Sequence, residues 1–283
     1  MTLLKIDWSP SEIFLNLGPL AIHWYSVMFI IAFSLGYYLI KKIYINENKS
    51  IELIEPLFIY IVIGTLIGAR LGHVIFYDWN YYQNNLVEIF FPIKNDIDSS
   101  LFFGIIDGWK FVGYRGLASH GAAIGIIVSM FIYKSKFKYD SILWIFDRIA
   151  IPITIGGMFV RIGNFFNSEI VGNYTGSNFG VVFLNRDEIF PRHPAQIYEA
   201  FGYLLLFILL RQLYWKTDLK NKGGFIFGLF LTGLFSIRIL VEYVKESQGG
   251  YIEELFGVLS TGQWLSIPLI LTGIFFMINS KKN

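Results

Sequence analysis

Cysteine is absent from this 283-residue sequence, and charged residues make up only 16% of it. Without cysteine the chain forms no disulfide, no thiolate zinc site and no cysteine nucleophile, so any thiol chemistry would use a partner's thiol. Soluble domains carry about 25% charged residues, and the deficit therefore indicates that lipid is the solvent. The net charge of +2 and the lack of a lysine or arginine tract argue against a nucleic-acid partner.

The N-terminus does not resemble a cleavable signal peptide. Lys5, Asp7 and Glu12 are mixed with apolar residues there, and no basic segment precedes a short apolar run. The first apolar stretch, at about 20–40, is long enough to cross a bilayer. Because neither an internal repeat nor a low-complexity linker follows, we predict a single membrane-embedded domain over residues 1–283.

Apolar stretches of about 20 residues predict an all-α polytopic membrane protein with about seven transmembrane helices. The stretch 78–116 is of mixed polarity and predicts an external loop. The stretch 167–193 is rich in glycine and asparagine and predicts a small extracytoplasmic lobe. The seven predicted spans are 20–40, 54–77, 117–133, 142–166, 194–213, 224–244 and 257–279.

The placement of lysine and arginine predicts the orientation of these spans. One set of loops holds dense basic clusters, whereas the opposite set spreads its basic residues over much longer segments. Dense clusters belong in the cytoplasm, which predicts an outside N-terminus and a cytoplasmic C-terminus. The clusters include Lys41, Lys42, Lys49, Lys134, Lys136, Lys138, Arg211, Lys216, Lys220 and Lys222.

Charged and polar residues inside the predicted spans gather toward the outer face of the bilayer. Such residues are costly in lipid, so they tend to face a protein interior and to mark function. Their common level predicts a polar, cationic cavity in the outer leaflet. The set comprises His23, Tyr25, Arg70, His73, His120, Arg161, Asn164, Glu169, His193, Gln196, Arg238, Glu242 and Gln263.

Several members of this set have ordinary structural explanations. Arg238 and Glu242 lie four residues apart and could simply neutralise each other. His23 and His73 could be interfacial histidines without chemistry, and Tyr25 could be an aromatic-belt anchor. Each of these explanations accounts for a single residue, but none explains why all the residues of the set lie at the same depth in the membrane.

The segment R-I-G-N-F-F-N-S-E-I-V-G, residues 161–172, is the densest group of polar side chains. Arg161 and Asn164 are three residues apart, with Ser168 four further on, so a continuing helix would place them on one face. An arginine in a low-dielectric cleft beside amide donors is a good receptor for phosphate. The sequence therefore predicts a phospholipid headgroup site at Arg161.

At these residues the chain resembles the prolipoprotein diacylglyceryl transferase family. The block at 161–172 is a specific signature of that family, and weaker matching blocks occur in the family's order along essentially the whole chain. They are I-H-W-Y at 22–25, G-A-R-L-G at 68–72, S-H-G at 119–121, P-R-H-P-A-Q-I-Y-E at 191–199, R-I-L-V-E at 238–242 and T-G-Q-W-L-S-I-P at 261–268.

The resemblance implies a reaction. Diacylglyceryl would move from phosphatidylglycerol to the lipobox cysteine of a preprolipoprotein, forming a thioether and releasing glycerol phosphate. The enzyme would lie in the bacterial cytoplasmic (inner) membrane. Its partners would be phosphatidylglycerol, preprolipoprotein signal peptides and membrane lipids, and neither a cofactor nor a metal is expected.

The resemblance also implies roles for individual residues. Arg161 would hold the phosphate, with Arg238 assisting and Glu242 orienting Arg238. His120, whose pKa naturally lies near neutrality, is the candidate general base for the thiol.

Five further residues match functional positions of the family or share their predicted level. Tyr25, Asn164 and Glu169 are expected in the catalytic group, and Asn164, Gly172 and Arg70 are expected to bind phosphatidylglycerol.

Three positions depart from the family pattern. Ala122 follows His120-Gly121 where relatives commonly have a second glycine. Val160 replaces the glycine usually found before Arg161, and Leu234 stands where many relatives carry tyrosine. The departures put details of headgroup contact in doubt, but not the family.

Two other classes of protein also place charges inside a membrane. A transporter usually has its site near the midplane and often has inverted repeats, whereas these residues lie outward and no repeat is visible. A non-catalytic phospholipid-binding protein would tolerate substitution of His120 and Arg161.

Overall fold

The computed structural model describes residues 5–17, 20–91, 93–101, 105–112, 116, 118–139, 141–246 and 259–281. Long helices account for most of these residues, which confirms the predicted helical membrane class. The nine helices of the described ranges are α1 (Trp24–Asn46), α2 (Ile54–Tyr77), α3 (Trp79–Tyr82), α4 (Val87–Phe90), α5 (Ser119–Phe137), α6 (Ile142–Phe166), α7 (Ala195–Lys216), α8 (Phe225–Glu242) and α9 (Thr261–Asn279).

Each predicted span coincides with one long helix. Within the described residues, six are long and apolar enough to cross a membrane: α1, α2 with its preceding turn, α6, α7, α8 and α9. Helix α5 is not in that group, and its ends carry His120, Lys134 and Lys136. Residues 257 and 258 of the last predicted span lie outside the described residues. The count of seven and the orientation stay predictions.

The chain divides into two compact units, residues 1–49 with 143–283 and residues 50–142. The predicted single domain over 1–283 stays a prediction. Three two-stranded sheets, which the sequence did not predict, complete the described structure. Their strands are β1 (Lys5–Trp8) with β6 (Gly180–Phe183), β2 (Ile13–Leu17) with β3 (Leu20–His23), and β4 (Ile93–Leu101) with β5 (Ile106–Phe111).

In the first unit, α8 packs against α7 and α9. The predicted lobe at 167–193 contains β6, which pairs in parallel with β1 from Lys5↔Gly180 to Trp8↔Phe183. Val171, Val181 and Phe183 form a buried apolar cluster there, with Trp8 and Phe165 packed on it. The lobe therefore has a small core of its own, to which the N-terminal strand contributes.

A buried polar network holds three helices of the first unit together. Glu47, just beyond α1, accepts hydrogen bonds from Nε1 of Trp144 at 2.8 Å and from Nε of Arg148 at 3.0 Å. Tyr214 of α7 donates to the same carboxylate. On the neighbouring turn of α6, Asp147 accepts the backbone N–H groups of Gly224 and Phe227, both at 2.8 Å, and so caps the start of α8. The hydrogen bonds and the ion pair to Glu47 thus connect the ends of α1, α6 and α7.

In the second unit, α2 and α5 approach closely along facing glycines. A β-carbon added to Gly68 would lie 2.3 Å from the carbonyl oxygen of Gly121, and one added to Gly64 would lie 2.7 Å from that of Gly125. Small residues permit such close helix contact in membranes. The predicted external loop at 78–116 contains α3, α4 and the β4–β5 hairpin.

Candidate functional site

Arg161 lies near the C-terminal end of α6, in the first unit. Its Nη1 donates a hydrogen bond to Oδ1 of Asn164 at 3.2 Å, one turn further along the helix. Its Nε forms an ion pair with Glu199 of α7. Tyr203, also on α7, lies close enough to the guanidinium to interact with it electrostatically. The predicted pair of Arg161 and Asn164 is therefore brought together, within a larger group.

Asn164 connects Arg161 to Glu169. Its Nδ2 donates to Oε1 of Glu169 at 2.7 Å, so the amide bridges a cation and an anion. The backbone carbonyl of Glu169 accepts from Nε2 of Gln196 on α7 at 2.7 Å. The segment after α6 is thus fixed both by its own helix and by α7.

The prediction that a continuing helix carries Ser168 onto the Arg161 face was wrong. Helix α6 ends at Phe166, and Ser168 adopts a left-handed backbone with φ of 54°. The backbone N–H of Glu169 bonds to the carbonyl of Asn164 at 3.0 Å, which closes the helix end. The chain turns there, and the turn directs Glu169 back toward Asn164.

Tyr25 lies in the first turn of α1 and packs directly on α6. Its ring faces Gly163, and its hydroxyl is close enough to the side chain of Asn164 to interact with it. Arg161 and Glu169 are also close enough to interact with it electrostatically. Tyr25, Arg161, Asn164 and Glu169 therefore form one connected polar cluster, and their catalytic and binding roles stay predictions. We call these four residues the Arg161 cluster.

Arg238 and Glu242 of α8 do not form the predicted pair. In the described residues the Glu242 carboxylate instead binds Nζ of Lys245 at 3.3 Å, and both side chains are buried. The Arg238 guanidinium lies 5.9 Å from the Phe235 ring centre, and its Nε is buried without a hydrogen-bond partner in the part of the chain that the structure describes. The expectation that Glu242 orients Arg238 was wrong, because Lys245 in the turn after α8 takes the carboxylate.

Gly172 occupies a position where only glycine fits. A β-carbon there would lie 2.4 Å from the carbonyl oxygen of His193 and 2.7 Å from that of Val244. Arg192 donates to the Gly172 carbonyl at 3.0 Å and forms ion pairs with Glu188 and Glu246. In the structure Gly172 therefore joins the lobe to the chain that follows α8.

Arg70 of α2, in the second unit, anchors the segment that follows α2, for which the external location stays a prediction. It is buried, its Nε donates to the carbonyl of Ile89 at 3.0 Å, and its guanidinium lies 4.7 Å from the Tyr82 ring centre. Glu88 accepts from the Tyr81 hydroxyl at 2.7 Å, and this hydrogen bond, together with burial, raises the pKa of Tyr81 to about 12. These contacts favour a structural role for Arg70, and headgroup binding by it stays a prediction.

His120 lies in the first turn of α5, in the second unit, and is exposed. The next residue, Gly121, packs against Gly68 and Gly72 of α2. The close contact of the two helices therefore fixes the backbone that carries His120. Its assignment as a base stays a prediction.

Two residues in contact with Arg161 were absent from the predicted site. Glu199 and Tyr203 are buried on α7, one turn apart. Glu199 carried a usable signal, because it is an unexplained carboxylate inside a predicted span. Tyr203 carried none, since tyrosine is common in membrane helices.

These features define a multi-pass helical membrane protein with a buried cluster of arginine, carboxylate, amide and phenol groups. A family model described as prolipoprotein diacylglyceryl transferase matches residues 12–279, and the chain belongs to that family of transferases. A phosphatidylglycerol–prolipoprotein diacylglyceryl transferase of Tolumonas auensis is 41% identical over 275 residues, covering 97% of each chain.

Relatives from other bacteria carry the same name. The one from Bacteroides fragilis is 40% identical and covers 97% of this chain and 95% of its own length. The one from Chloroherpeton thalassium is 39% identical and covers 98% of this chain and 95% of its own length. The similarity thus extends over both compact units.

Proposed function

We propose that the protein transfers the diacylglyceryl group of phosphatidylglycerol to the lipobox cysteine of preprolipoproteins, the first step of bacterial lipoprotein maturation. The observation that carries the proposal is the Arg161 cluster, in which Arg161, Asn164 and Glu169 of the family signature are joined by Tyr25, in a chain of the transferase family. The proposed location is the cytoplasmic (inner) membrane, where lipid donor and signal peptide both arrive from the bilayer.

The product determines which bond breaks. A thioether requires a new bond from sulfur to the terminal carbon of the diacylglyceryl group, so that carbon loses its bond to the phosphate oxygen. The phosphorus–oxygen bonds stay intact, and the leaving group is glycerol phosphate. The thiol proton passes to a base, and the leaving phosphate gains the electron pair of the broken bond.

Arginine groups suit the charge that develops on this leaving group. A phosphodiester carries one negative charge, and the phosphate monoester that leaves carries up to two. Arg161 is proposed to bind the phosphate, and Arg238 to assist it, because guanidinium groups bind phosphate oxygens through paired hydrogen bonds. Donors placed where charge develops stabilise the transition state.

The remaining members of the Arg161 cluster support this binding. Asn164 holds Arg161 at one end and Glu169 at the other, and Tyr25 closes the cluster from α1. Their proposed part in catalysis is to keep the arginine in place and to offer polar groups to the headgroup. Gly172 and Arg70 are proposed to contribute to phosphatidylglycerol binding by shaping the segments that contain them.

His120 is proposed to remove the proton from the thiol. Histidine titrates near neutral pH and the thiolate is the nucleophile, so a neutral imidazole is a suitable base. Such a base typically contributes about 10²- to 10⁴-fold to the rate. Glu242 is proposed to act through Lys245, with which it pairs, rather than through Arg238.

Reconstitution of the reaction tests the proposal. Purified protein is incubated with phosphatidylglycerol and a lipobox peptide, and mass spectrometry follows a diacylglyceryl adduct on the cysteine and released glycerol phosphate. A peptide with serine at the cysteine position and an Arg161→Gln enzyme are the controls, and both should yield no adduct. If the wild-type enzyme forms none, or vesicles show uptake without a covalent product, the proposal fails.

A further inference from the structure

Glu199 is the most deeply buried carboxylate that contacts the Arg161 cluster. Its side chain is 1% exposed, and that of Arg161, with which it pairs, is 14% exposed. A carboxylate in a membrane helix is costly, and an arginine beside it offsets only part of that cost. A side chain as costly as that of Glu199 is expected to have a role, and none of the roles proposed above involves Glu199.

The contacts that α7 makes with the Arg161 cluster indicate the role of Glu199. Gln196, Glu199 and Tyr203 recur at helical spacing on one face of α7. Gln196 holds the backbone of Glu169, while Glu199 and Tyr203 hold the guanidinium of Arg161. One helix face therefore fixes both ends of the Arg161 cluster.

The atoms used by these contacts determine how Arg161 can meet an anion. A guanidinium has five N–H donors in a fixed fork. The Glu199 carboxylate lies against Nε as an ion pair, without accepting a hydrogen bond within the described residues, and Asn164 accepts one hydrogen of Nη1. An arginine held at its Nε edge cannot rotate about its long axis without losing the ion pair, so the direction of its terminal nitrogens is set by Glu199.

We propose that Glu199 is a positioning residue, which holds the Nε edge of Arg161 so that the remaining donors face the phosphate of the anionic donor lipid. The inference rests on the proposed function and assigns to α7 a part in donor recognition. Glu199 touches no substrate in this scheme and acts through Arg161. Tyr203, one turn further along α7, supports the same guanidinium.

Kinetics of Glu199→Gln and Glu199→Asp test the inference. The glutamine variant keeps the shape of the side chain and removes its charge, whereas the aspartate variant keeps the charge on a shorter stem. We expect Glu199→Gln to lower kcat/KM for phosphatidylglycerol by roughly 10- to 100-fold, because small misplacements of a binding group have effects of that order. We expect an unchanged KM for the lipobox peptide and partial recovery in Glu199→Asp.

A double-mutant cycle with Arg161→Lys separates positioning from an independent role. If Glu199 acts through Arg161, Glu199→Gln should reduce kcat/KM much less in the Arg161→Lys enzyme than in the wild type. Multiplicative losses in the double variant would overturn the inference. This comparison remains decisive if the glutamine variant proves less stable, because Glu199→Asp can replace it in the cycle.

Asp147→Asn is the matched control. It also removes the charge of a buried carboxylate in the first unit, but Asp147 caps α8 and does not contact Arg161 in the described structure. We expect a lower thermal midpoint with unchanged kinetics toward phosphatidylglycerol. The same selective loss in Asp147→Asn, or wild-type kinetics in Glu199→Gln, would contradict the inference. A wild-type enzyme without transfer activity would instead refute the proposed function.

Discussion

Gly163 and Tyr25 are in direct contact between α6 and α1, and the contact leaves no room for a side chain at position 163. A β-carbon there would lie 2.6 Å from Cδ2 of the Tyr25 ring. The glycine that follows Arg161 by two residues therefore determines how closely the tyrosine approaches Asn164. The position of Tyr25, a proposed catalytic residue, therefore depends on the lack of a side chain at position 163.

The substitution Gly163→Ala should reduce transfer activity without unfolding the protein. The added methyl group pushes the Tyr25 ring away, and over-packing of this kind typically costs about 1–3 kcal/mol. Adduct formation by mass spectrometry and the thermal midpoint measure the two effects. Gly156→Ala on the same helix is the control, because its β-carbon would meet only Ala32, at 3.9 Å. Equal activity of the two variants would contradict the prediction.

Removal of Lys245 should impair the enzyme through Glu242. The variant Lys245→Gln leaves a buried carboxylate without its cation, and such a loss typically destabilises by about 3–5 kcal/mol. We expect a lower thermal midpoint and slower transfer. The double variant Lys245→Gln, Glu242→Gln should recover part of the midpoint but not the rate. Full recovery of the rate would show that Glu242 has only a structural role.

Replacement of Arg70 should destabilise the segment that follows α2 more than it weakens headgroup binding. Arg70→Gln loses the hydrogen bond to the Ile89 carbonyl and the contact with Tyr82. Hydrogen exchange should therefore accelerate in residues 87–91, because the free energy of local opening falls. Arg211→Gln, at an exposed arginine of α7, is the control. Unchanged exchange together with a raised KM for phosphatidylglycerol would support the headgroup role predicted from the sequence.

Neutralising Glu47 should destabilise the first unit while leaving the chemistry intact. Glu47→Gln removes one of the two carboxylates that pair with the buried Arg148, and because Asp147 remains at 3.7 Å the cost should lie below the ~3–5 kcal/mol typical of an arginine left unpaired. The thermal midpoint should fall, and the fluorescence of Trp144, which donates to Glu47, should change with it. At a temperature where the variant is folded, its kcat should equal that of the wild type. A selective loss of kcat would assign this network a function that its contacts do not indicate.

The long helices could be predicted because each is a long apolar stretch, a property that the sequence carries locally. Arg161, Asn164 and Glu169 were found together for a similar reason, since only seven residues lie between the first and the last. The orienting of Arg238 by Glu242 was expected from the family resemblance, and helical spacing allowed the two to pair, but Lys245, which lies beyond the end of the helix, binds the carboxylate instead.

Contacts between segments that are far apart in the chain could not be predicted from the sequence. Glu199 pairs with an arginine on another helix, and no local pattern connects the two. The strands β1 and β6 were missed because two four-residue segments bear no mark of pairing with each other. The turn at Ser168 was missed because serine has no strong preference for the left-handed backbone that it adopts there.

The pairing of β1 with β6 sets an order of assembly. Residues that contact each other in this region, such as Pro10 and Asn185, lie 175 residues apart. At synthesis rates of about 5–20 residues per second, the N-terminal strand waits roughly 10–35 seconds for its partner. Until β6 is synthesised, β1 stays unpaired while the helices between the two strands are inserted into the membrane. The lobe that borders the Arg161 cluster is therefore completed late, and a chain interrupted during translation before residue 180 would be left with membrane helices but without a finished site.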